Sequence, residues 1–234
     1  MPNNPNSTVE ILMTTFNGEK FVGEQIESLL SQTYQHWTLI IRDDGSHDKT
    51  VEIIKKYQKL HPDKINLIED SLGRLGVIRN AKEILNRSKA KYLMFCDQDD
   101  VWLPNKIEIS LEKMQELEDK HGDQTPLLVF TDLTVVDEQL KLVHSSFWNY
   151  QKINPKHQSI NYLLTGNIVT GCTLLMNNSL KNMLNSFPPE IMMYDWWIAL
   201  VCSAFGHMAC VETPTILYRQ HKSNTTGARN WLVI

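Results

Sequence analysis

Residues 92–102, YLMFCDQDDVW, run from an unbroken apolar segment straight into three aspartates within four positions. Tyr92, Leu93, Met94 and Phe95 read as a strand covered on both faces. Asp97, Asp99 and Asp100 then crowd negative charge at its carboxyl end, where mutual repulsion works against them, so a positive group is expected there. A calcium loop is excluded: Asp97, Asp99 and Glu108 match positions 1, 3 and 12 of an EF-hand, but Val101 and Trp102 stand where a ligand and a glycine are needed. On the motif alone two readings stand. One carboxylate is enough to cap the following helix, whereas an Asp-x-Asp pair offers oxygen ligands to Mg2+ or Mn2+.

The same order of elements recurs upstream. Val9 to Met13 is an apolar run ending in Thr14, Thr15, Phe16 and Asn17, followed by Val22, Ile26, Leu29 and Leu30 at helical spacing. Leu39 to Ile41 leads through a polar turn, Asp43 to Asp48, into Val51, Ile54 and Tyr57. Ile65 to Ile68 leads through Gly73 and Gly76 into a helix from Val77 to Leu85, and the acidic stretch leads into a helix that Pro104 is expected to open. Alternating strands and helices predict an α/β fold with a largely parallel sheet covered on both faces, binding its ligand at the strands' carboxyl ends. Further on, strands are expected at Leu127 to Phe130 and Thr170 to Met176, a helix at Asp195 to Phe205, and a late hairpin or mixed strands at Met208 to Val211 and Ile216 to Tyr218. With no repeat or linker, residues 1–234 read as one domain in two halves, about 9–125 and about 126–234.

Composition narrows the classes. A 234-residue chain with 42% hydrophobic and 21% charged residues is that of a soluble globular protein, and a formal net charge of -4 gives no general attraction for nucleic acid. Cys96, Cys172, Cys202 and Cys210 lack CxxC spacing and read as buried free thiols in a reducing cytoplasm. The polar start MPNNPNST predicts no export signal, and the apolar window Trp196 to Phe205 is about half the roughly 20 residues of a membrane span, so it reads as a core helix.

Three segments in order, TTFNGEKFVGEQIESLLSQTYQHWTLIIRDDGSHDKT, LGRLGVIRNAKEIL and YLMFCDQDDVWLPNKIE, resemble the family 2 inverting glycosyltransferases of the GT-A fold, over residues 9 to about 110. The resemblance implies a Rossmann-like, mostly parallel mixed sheet flanked by helices, and metal-dependent hexosyl transfer. It implies that Thr14, Thr15 and Asn17, with Asp43 and Asp44, hold the base and ribose of a nucleoside diphosphate sugar, and that Gly73, Arg79 and Asn80 face this donor. Asp97, Gln98 and Asp99 match the DXD motif, with Asp99 on a Mg2+ or Mn2+ ion, Asp97 near the ribose or sugar, and Asp100 bracing the motif. Taken alone, DDGS at 43–46 is a turn with a helix cap, and Arg79 is a surface arginine.

In the second half, Asp195 of MMYDWWIAL resembles the family's catalytic carboxylate, with Tyr194 where an acid is common; a helix N-cap is its structural alternative. Trp196 and Trp197 suit a sugar platform or the core. YRQHKSNTTG, residues 218–227, resembles a terminal motif of the rhamnosyltransferase-like branch, which implies Arg219 at the diphosphate and His221 at the metal. TGNIVTGCT, residues 165–173, would edge the acceptor, or its glycines serve only turns, and Asp132 reads as a turn residue or acceptor contact. The implied donor is dTDP-L-rhamnose, with UDP-glucose, UDP-galactose or an N-acetylhexosamine nucleotide as alternatives. The implied acceptor is a glycan or lipid-linked glycan in cell-surface polysaccharide synthesis, at the inner face of the plasma membrane, with a C-terminal extension absent. A nicotinamide dehydrogenase is disfavoured by the lack of GxGxxG after the first strand, and a sugar nucleotidyltransferase by TTFNGEK, a poor substitute for the glycine-rich nucleotide loop usual there. A noncatalytic nucleotide-sugar-binding module remains as the rival class.

Overall fold

The central strand of the sheet, β4 (Tyr92–Cys96), is buried at every position, as its unbroken apolar sequence requires. A computed structural model describes residues 9–184, 187–188, 190–224 and 227–228. The polar start at 1–8, and Thr225 and Thr226 of the terminal motif, lie outside the described residues. β1 (Val9–Thr15) lies parallel to β4 on one side and to β2 (Trp37–Asp43) on the other, and β3 (Ile65–Leu67) extends the parallel row beyond β2. The register sets Met13 beside Cys96 and Thr15 beside Asp43. The ends of three strands therefore stand at one level, and the polar residues that follow them converge.

Past β4 the sheet becomes mixed. β8 (Leu175–Asn177) runs antiparallel to β4 and to β6 (Leu127–Val136), and β9 (His207–Arg219) runs parallel to β6. β5 (Val101–Trp102) pairs antiparallel with the end of β9, and β7 (Leu142–His144) pairs with β6. The two late strands expected from sequence are one: β9 passes through register shifts opposite Asp132, where Glu212 and Thr213 are exposed, and continues. The strand expected at Thr170 to Met176 is also shorter, because a 3-10 turn at Gly171–Thr173 precedes β8.

Two cores form on opposite faces of the sheet. Ile11 and Met13 of β1 join α1 (Val22–Leu30), α2 (Thr50–Leu60) and α4 (Lys106–His121) on one face. Leu12 joins α3 (Val77–Arg87), α7 (Asn178–Met183) and α8 (Tyr194–Phe205) on the other, an alternation that follows from the two-residue period of a strand. Each fully buried leucine or isoleucine contributes roughly 1.5–3 kcal/mol. Two short helices, α5 (Phe147–Gln151) and α6 (Ile160–Leu163), follow β7, and α6 supplies the Leu163 carbonyl that accepts the Trp196 indole N–H at 2.6 Å. Pro104 stands before Asn105, the N-cap of α4, and not inside its first turn. The described cysteines are free, with Cys96, Cys172 and Cys202 buried and Cys210 half-buried. No helix of the described residues is long and apolar enough to cross a membrane.

Candidate active site

The acidic loop after β4 is the floor of a crevice of about 650 Å³. Asp97, Gln98 and Asp99 are half-buried, and Asp100 is fully buried beneath them. Burial, with the charges of Asp99 and Asp195, pushes the Asp97 carboxyl up to about 7. Asp100 is pushed up for the same reasons: burial first, then Asp99 and Asp97. Its Oδ1 accepts the Arg219 backbone N–H at 3.1 Å, while Oδ2 has no N–H or O–H donor among the described residues. The positive group anticipated beside this cluster is internal. Lys106 is fully buried, its ammonium 4.7 Å from the centre of the Trp102 ring, and burial lowers it to about 8 against the opposing pull of Cys172, Cys96 and Asp100. One buried lysine does not offset this many carboxylates.

Asp97, Asp100 and the Cys172 thiol place ligand atoms within 4.8 Å of one another. Beside them, His221 Nε2 lies 2.8 Å from Asp99 Oδ2. Its Nδ1 accepts the Ser223 N–H at 3.2 Å, so the ring proton sits on Nε2 and is donated to Asp99. The His221 ring packs 4.7 Å from that of Phe21. Carboxylate oxygens with one imidazole are a donor set suited to Mg2+ or Mn2+, and an orphaned carboxylate oxygen beside surplus negative charge fits a dication.

Gln98 faces the first loop. Its Oε1 accepts the Phe16 N–H at 2.9 Å and its Nε2 donates to the Phe16 carbonyl at 3.0 Å, so the side chain acts as a short strand partner. Asp43 organises the DDGS turn: Oδ1 accepts from the Thr15 and Ser46 hydroxyls at 2.8 and 2.6 Å, and Oδ2 from the N–H groups of Gly45 and Ser46 at 3.0 and 2.7 Å. Asn17, at φ +48°, ties this turn to the first loop, donating its N–H to Ser46 Oγ and accepting the His47 N–H.

A buried arginine joins the β2 and β3 loops. Arg42 donates to both oxygens of Asp70 at 3.0 and 3.1 Å, to Asp44 at 3.2 Å, to Asn80 at 2.9 Å and to the Gly73 carbonyl at 3.0 Å. Asp44 in turn accepts the N–H groups of Leu75 at 2.7 Å and Gly76 at 2.8 Å. Gly73 and Gly76 take φ values of +67° and +77°, which other residues rarely adopt. Sequence reasoning passed over Arg42. Its signal was a charged residue inside the run LIIRDD, because a buried charge has to be paired.

Across the crevice, Asp195 lies in the first turn of α8, whose N-cap is Met193, so it is not the cap itself. Its Oδ1 accepts from Asn167 Nδ2 at 3.2 Å and the Trp196 N–H at 2.6 Å, and Oδ2 accepts the Gly171 N–H at 2.9 Å. Burial pushes this carboxyl up to about 6, and those three donors hold it from rising further. Gly171 is required for the approach: a Cβ there would clash with the Tyr194 hydroxyl. Trp196 lines the crevice, while Trp197 belongs to the second core. Asp132 is buried and accepts the N–H groups of Leu133, Phe147 and Trp148.

Of the residues singled out from sequence, Thr14, Thr15, Asp44, Asn80, Asp97, Gln98, Asp99 and Asp195 line the crevice together. Asn17, Asp43, Gly73 and His221 are not among its lining residues and are held in the contacts described above. Arg219 is buried with its guanidinium engaged by the Asp99 and Glu138 carbonyls, each at 2.8 Å, and by the Glu24 carboxylate. Arg79 is exposed on α3 and is not among the lining residues. Phe16, Arg74, Asn167 and Tyr218 also line the crevice; all four fall within segments quoted from the sequence, but none was given a role of its own there.

Comparison with known proteins gives the family and the fold. The chain is 27% identical over 225 residues to an uncharacterised glycosyltransferase of Rickettsia prowazekii, covering 94% of this chain and 66% of that protein. It is 25% identical over 232 residues to the dTDP-rhamnosyl transferase RfbG of Shigella flexneri, covering 92% and 74%. Among solved structures, S. aureus TarS 1-349 in complex with UDP-GlcNAc superposes with a TM-score of 0.66 at 17% identity, over 93% of this chain and 60% of TarS. The mannosyltransferase PcManGT from Pyrobaculum calidifontis, in complex with GDP-Man and Mn2+, gives 0.63 at 15% identity, over 94% and 58%. The fold is thus the GT-A arrangement of a mixed sheet flanked by helices. Residues 10–184, three quarters of the chain, match Glycosyl transferase family 2, and the chain belongs to that family.

Proposed function

We propose that this chain is an inverting hexosyltransferase that moves a sugar, L-rhamnose by preference, from a nucleoside diphosphate to a hydroxyl of a glycan or lipid-linked glycan. The observation that carries the reading is the shared crevice: Asp195 opens on the same space as Asp97, Asp99 and the loops at Thr15 and Asp44. A Mg2+ or Mn2+ ion held by Asp99, with His221 joining once its Nε2 gives up the proton it donates to Asp99, would supply positive charge for the diphosphate leaving group. Asp195, held between Asn167, Gly171 and its own helix turn, accepts the acceptor hydroxyl's proton as that oxygen attacks the anomeric carbon. The bond from that carbon to the β-phosphate oxygen breaks with its electron pair, and attack from the opposite face inverts the centre.

Rhamnose rests on the resemblance of the terminal motif and on the similarity to RfbG. In this reading residues 1–234 act as one GT-A domain, with the donor bound by about 9–125 and the acceptor by about 126–234. It works in the cytoplasm, against the inner membrane face where a lipid-linked acceptor is presented. Incubation with Mn2+ and dTDP-rhamnose, UDP-glucose, UDP-galactose or UDP-GlcNAc, each with a panel of glycan acceptors, tests it by release of the nucleoside diphosphate. Release with dTDP-rhamnose at rates well above the UDP-sugars is expected. Binding of every donor with no acceptor-dependent release would favour the noncatalytic module.

A further inference from the structure

The crevice is lined by four carboxylates, Asp44, Asp97, Asp99 and Asp195, and among its described lining residues Arg74 is the single lysine, arginine or histidine. Arg74 is exposed, and no carboxylate of the described residues pairs with it. An unpaired cation in an acidic cleft would be expected to turn toward the carboxylates. Instead its guanidinium carbon lies 4.0 Å from the centre of the Phe16 ring.

Both members of this stack are fixed from behind. The backbone is held on either side of Arg74: the Gly73 carbonyl accepts from Arg42, and the Leu75 and Gly76 N–H groups are given to Asp44. Gly73 and Gly76, which flank Arg74 and Leu75, both take positive φ values that suit glycine. Phe16 is held through both of its backbone groups by Gln98. A guanidinium lying on an aromatic face keeps its N–H edge free, and that planar fork matches the geometry of phosphate oxygens. The buried knot of Arg42, Asp44, Asp70 and Asn80 thereby acts as a mount for an anion-binding side chain.

We propose that Arg74, stacked on Phe16, is the residue of this chain that grips the diphosphate of the donor. The inference rests on the donor reading above and adds to it the side chain that holds the phosphates. Calorimetric titration of the wild-type chain with UDP, dTDP and GDP in the presence of Mn2+, and with the matching nucleosides, tests it alongside Arg74→Gln and Arg74→Lys. For the diphosphate that the wild type binds, Arg74→Gln is expected to weaken affinity roughly 10- to 100-fold, with nucleoside affinity kept within about twofold. Arg74→Lys, which keeps charge without the planar fork, is expected to recover only part of the loss. Arg74→Gln binding the diphosphate as tightly as the wild type would overturn this inference alone, and so would an equal loss for diphosphate and nucleoside, which would mean that the guanidinium stacks on the base. A wild-type chain that binds none of the three diphosphates would overturn the donor reading and this inference with it.

Discussion

Asp43 and Asp44 at the end of β2, and Asp97 and Asp100 at the end of β4, are paired acids at the ends of the two strands that flank β1, with opposite surroundings. The first pair is saturated: Asp43 accepts from two hydroxyls and two N–H groups, and Asp44 from Arg42 and two N–H groups. The second pair is short of partners, with Asp100 Oδ2 given no N–H or O–H and only the Cys172 thiol beside it, and both carboxyls pushed up by burial first and then by Asp99. A saturated carboxylate organises loops and has little left to give a ligand. An undersupplied one destabilises the empty protein and gains most from a cation, which is where chemistry can be driven.

The largest test of that division concerns the carboxylate across the crevice. Asp195→Asn keeps size and most hydrogen bonding but removes the base, so acceptor-dependent release should fall about a thousandfold while donor affinity stays within about twofold. Single-turnover assays with separate donor titrations check both halves. Retained transfer would remove Asp195 from the mechanism.

On the saturated side the expected damage is to stability. Arg42→Met leaves the buried Asp44 carboxylate with no cation, while Asp70, nearer the surface, keeps Arg87 at 3.2 Å; removing one partner of a buried ion pair costs about 3–5 kcal/mol, and the low end applies here. Urea denaturation should show that loss. A value below about 1 kcal/mol would mean that the knot is incidental to the fold.

A smaller effect follows from protonation. Burial raises the Asp195 carboxyl to about 6, so its ionised, base-competent form falls tenfold per pH unit below that value. The transfer rate should therefore rise with unit slope up to about pH 6 and flatten above it, and the residual activity of Asp195→Asn should lack this limb. The undersupplied floor gives a matching stability effect. Asp97, raised to about 7 when folded, binds more protons in the folded state than in the unfolded state, so its contribution is full below about pH 4 and is lost as pH climbs through 7. Asp97→Asn should accordingly raise the melting temperature of the metal-free protein at pH 8, with the gain shrinking toward pH 4.

Local pattern carried the strand ends and thus most of the crevice. Apolar runs that stop at Thr14, Asp43 and Asp97 mark the carboxyl ends of β1, β2 and β4, and parallel pairing then brings them together. What local pattern could not carry was pairing between distant segments. The Arg219 guanidinium is held by Glu24, the Asp99 carbonyl and the Glu138 carbonyl, three partners with no sequence relation to one another, so a motif-based assignment to the diphosphate could not see them. Glu212 and Thr213 look like a break between two strands because both are polar, yet the long neighbour β6 lets β9 bulge there and go on. Arg74 has no pattern at all: an exposed arginine in a glycine-rich loop acquires meaning only from the Phe16 ring beneath it.

The mildest substitution addresses whether Asp43 is a donor ligand or only the keystone of its turn. Asp43→Asn preserves one carbonyl acceptor for the Thr15 and Ser46 hydroxyls but turns an NH2 group toward the N–H groups of Gly45 and Ser46, which it cannot accept. Two hydrogen bonds at a partly exposed turn are worth about 1 kcal/mol each at most, so the melting temperature should drop by a few degrees. Donor affinity separates the two roles. A turn keystone transmits its disturbance through Thr15 and weakens the nucleoside diphosphate only two- to fivefold, whereas a direct ribose or base ligand would lose the affinity of the free nucleoside to the same extent as that of the diphosphate. Because every acceptor site of Asp43 is already filled from its own loop, the small, diphosphate-biased loss is the expected result, and a tenfold loss of nucleoside binding would show that a saturated carboxylate can still serve the ligand.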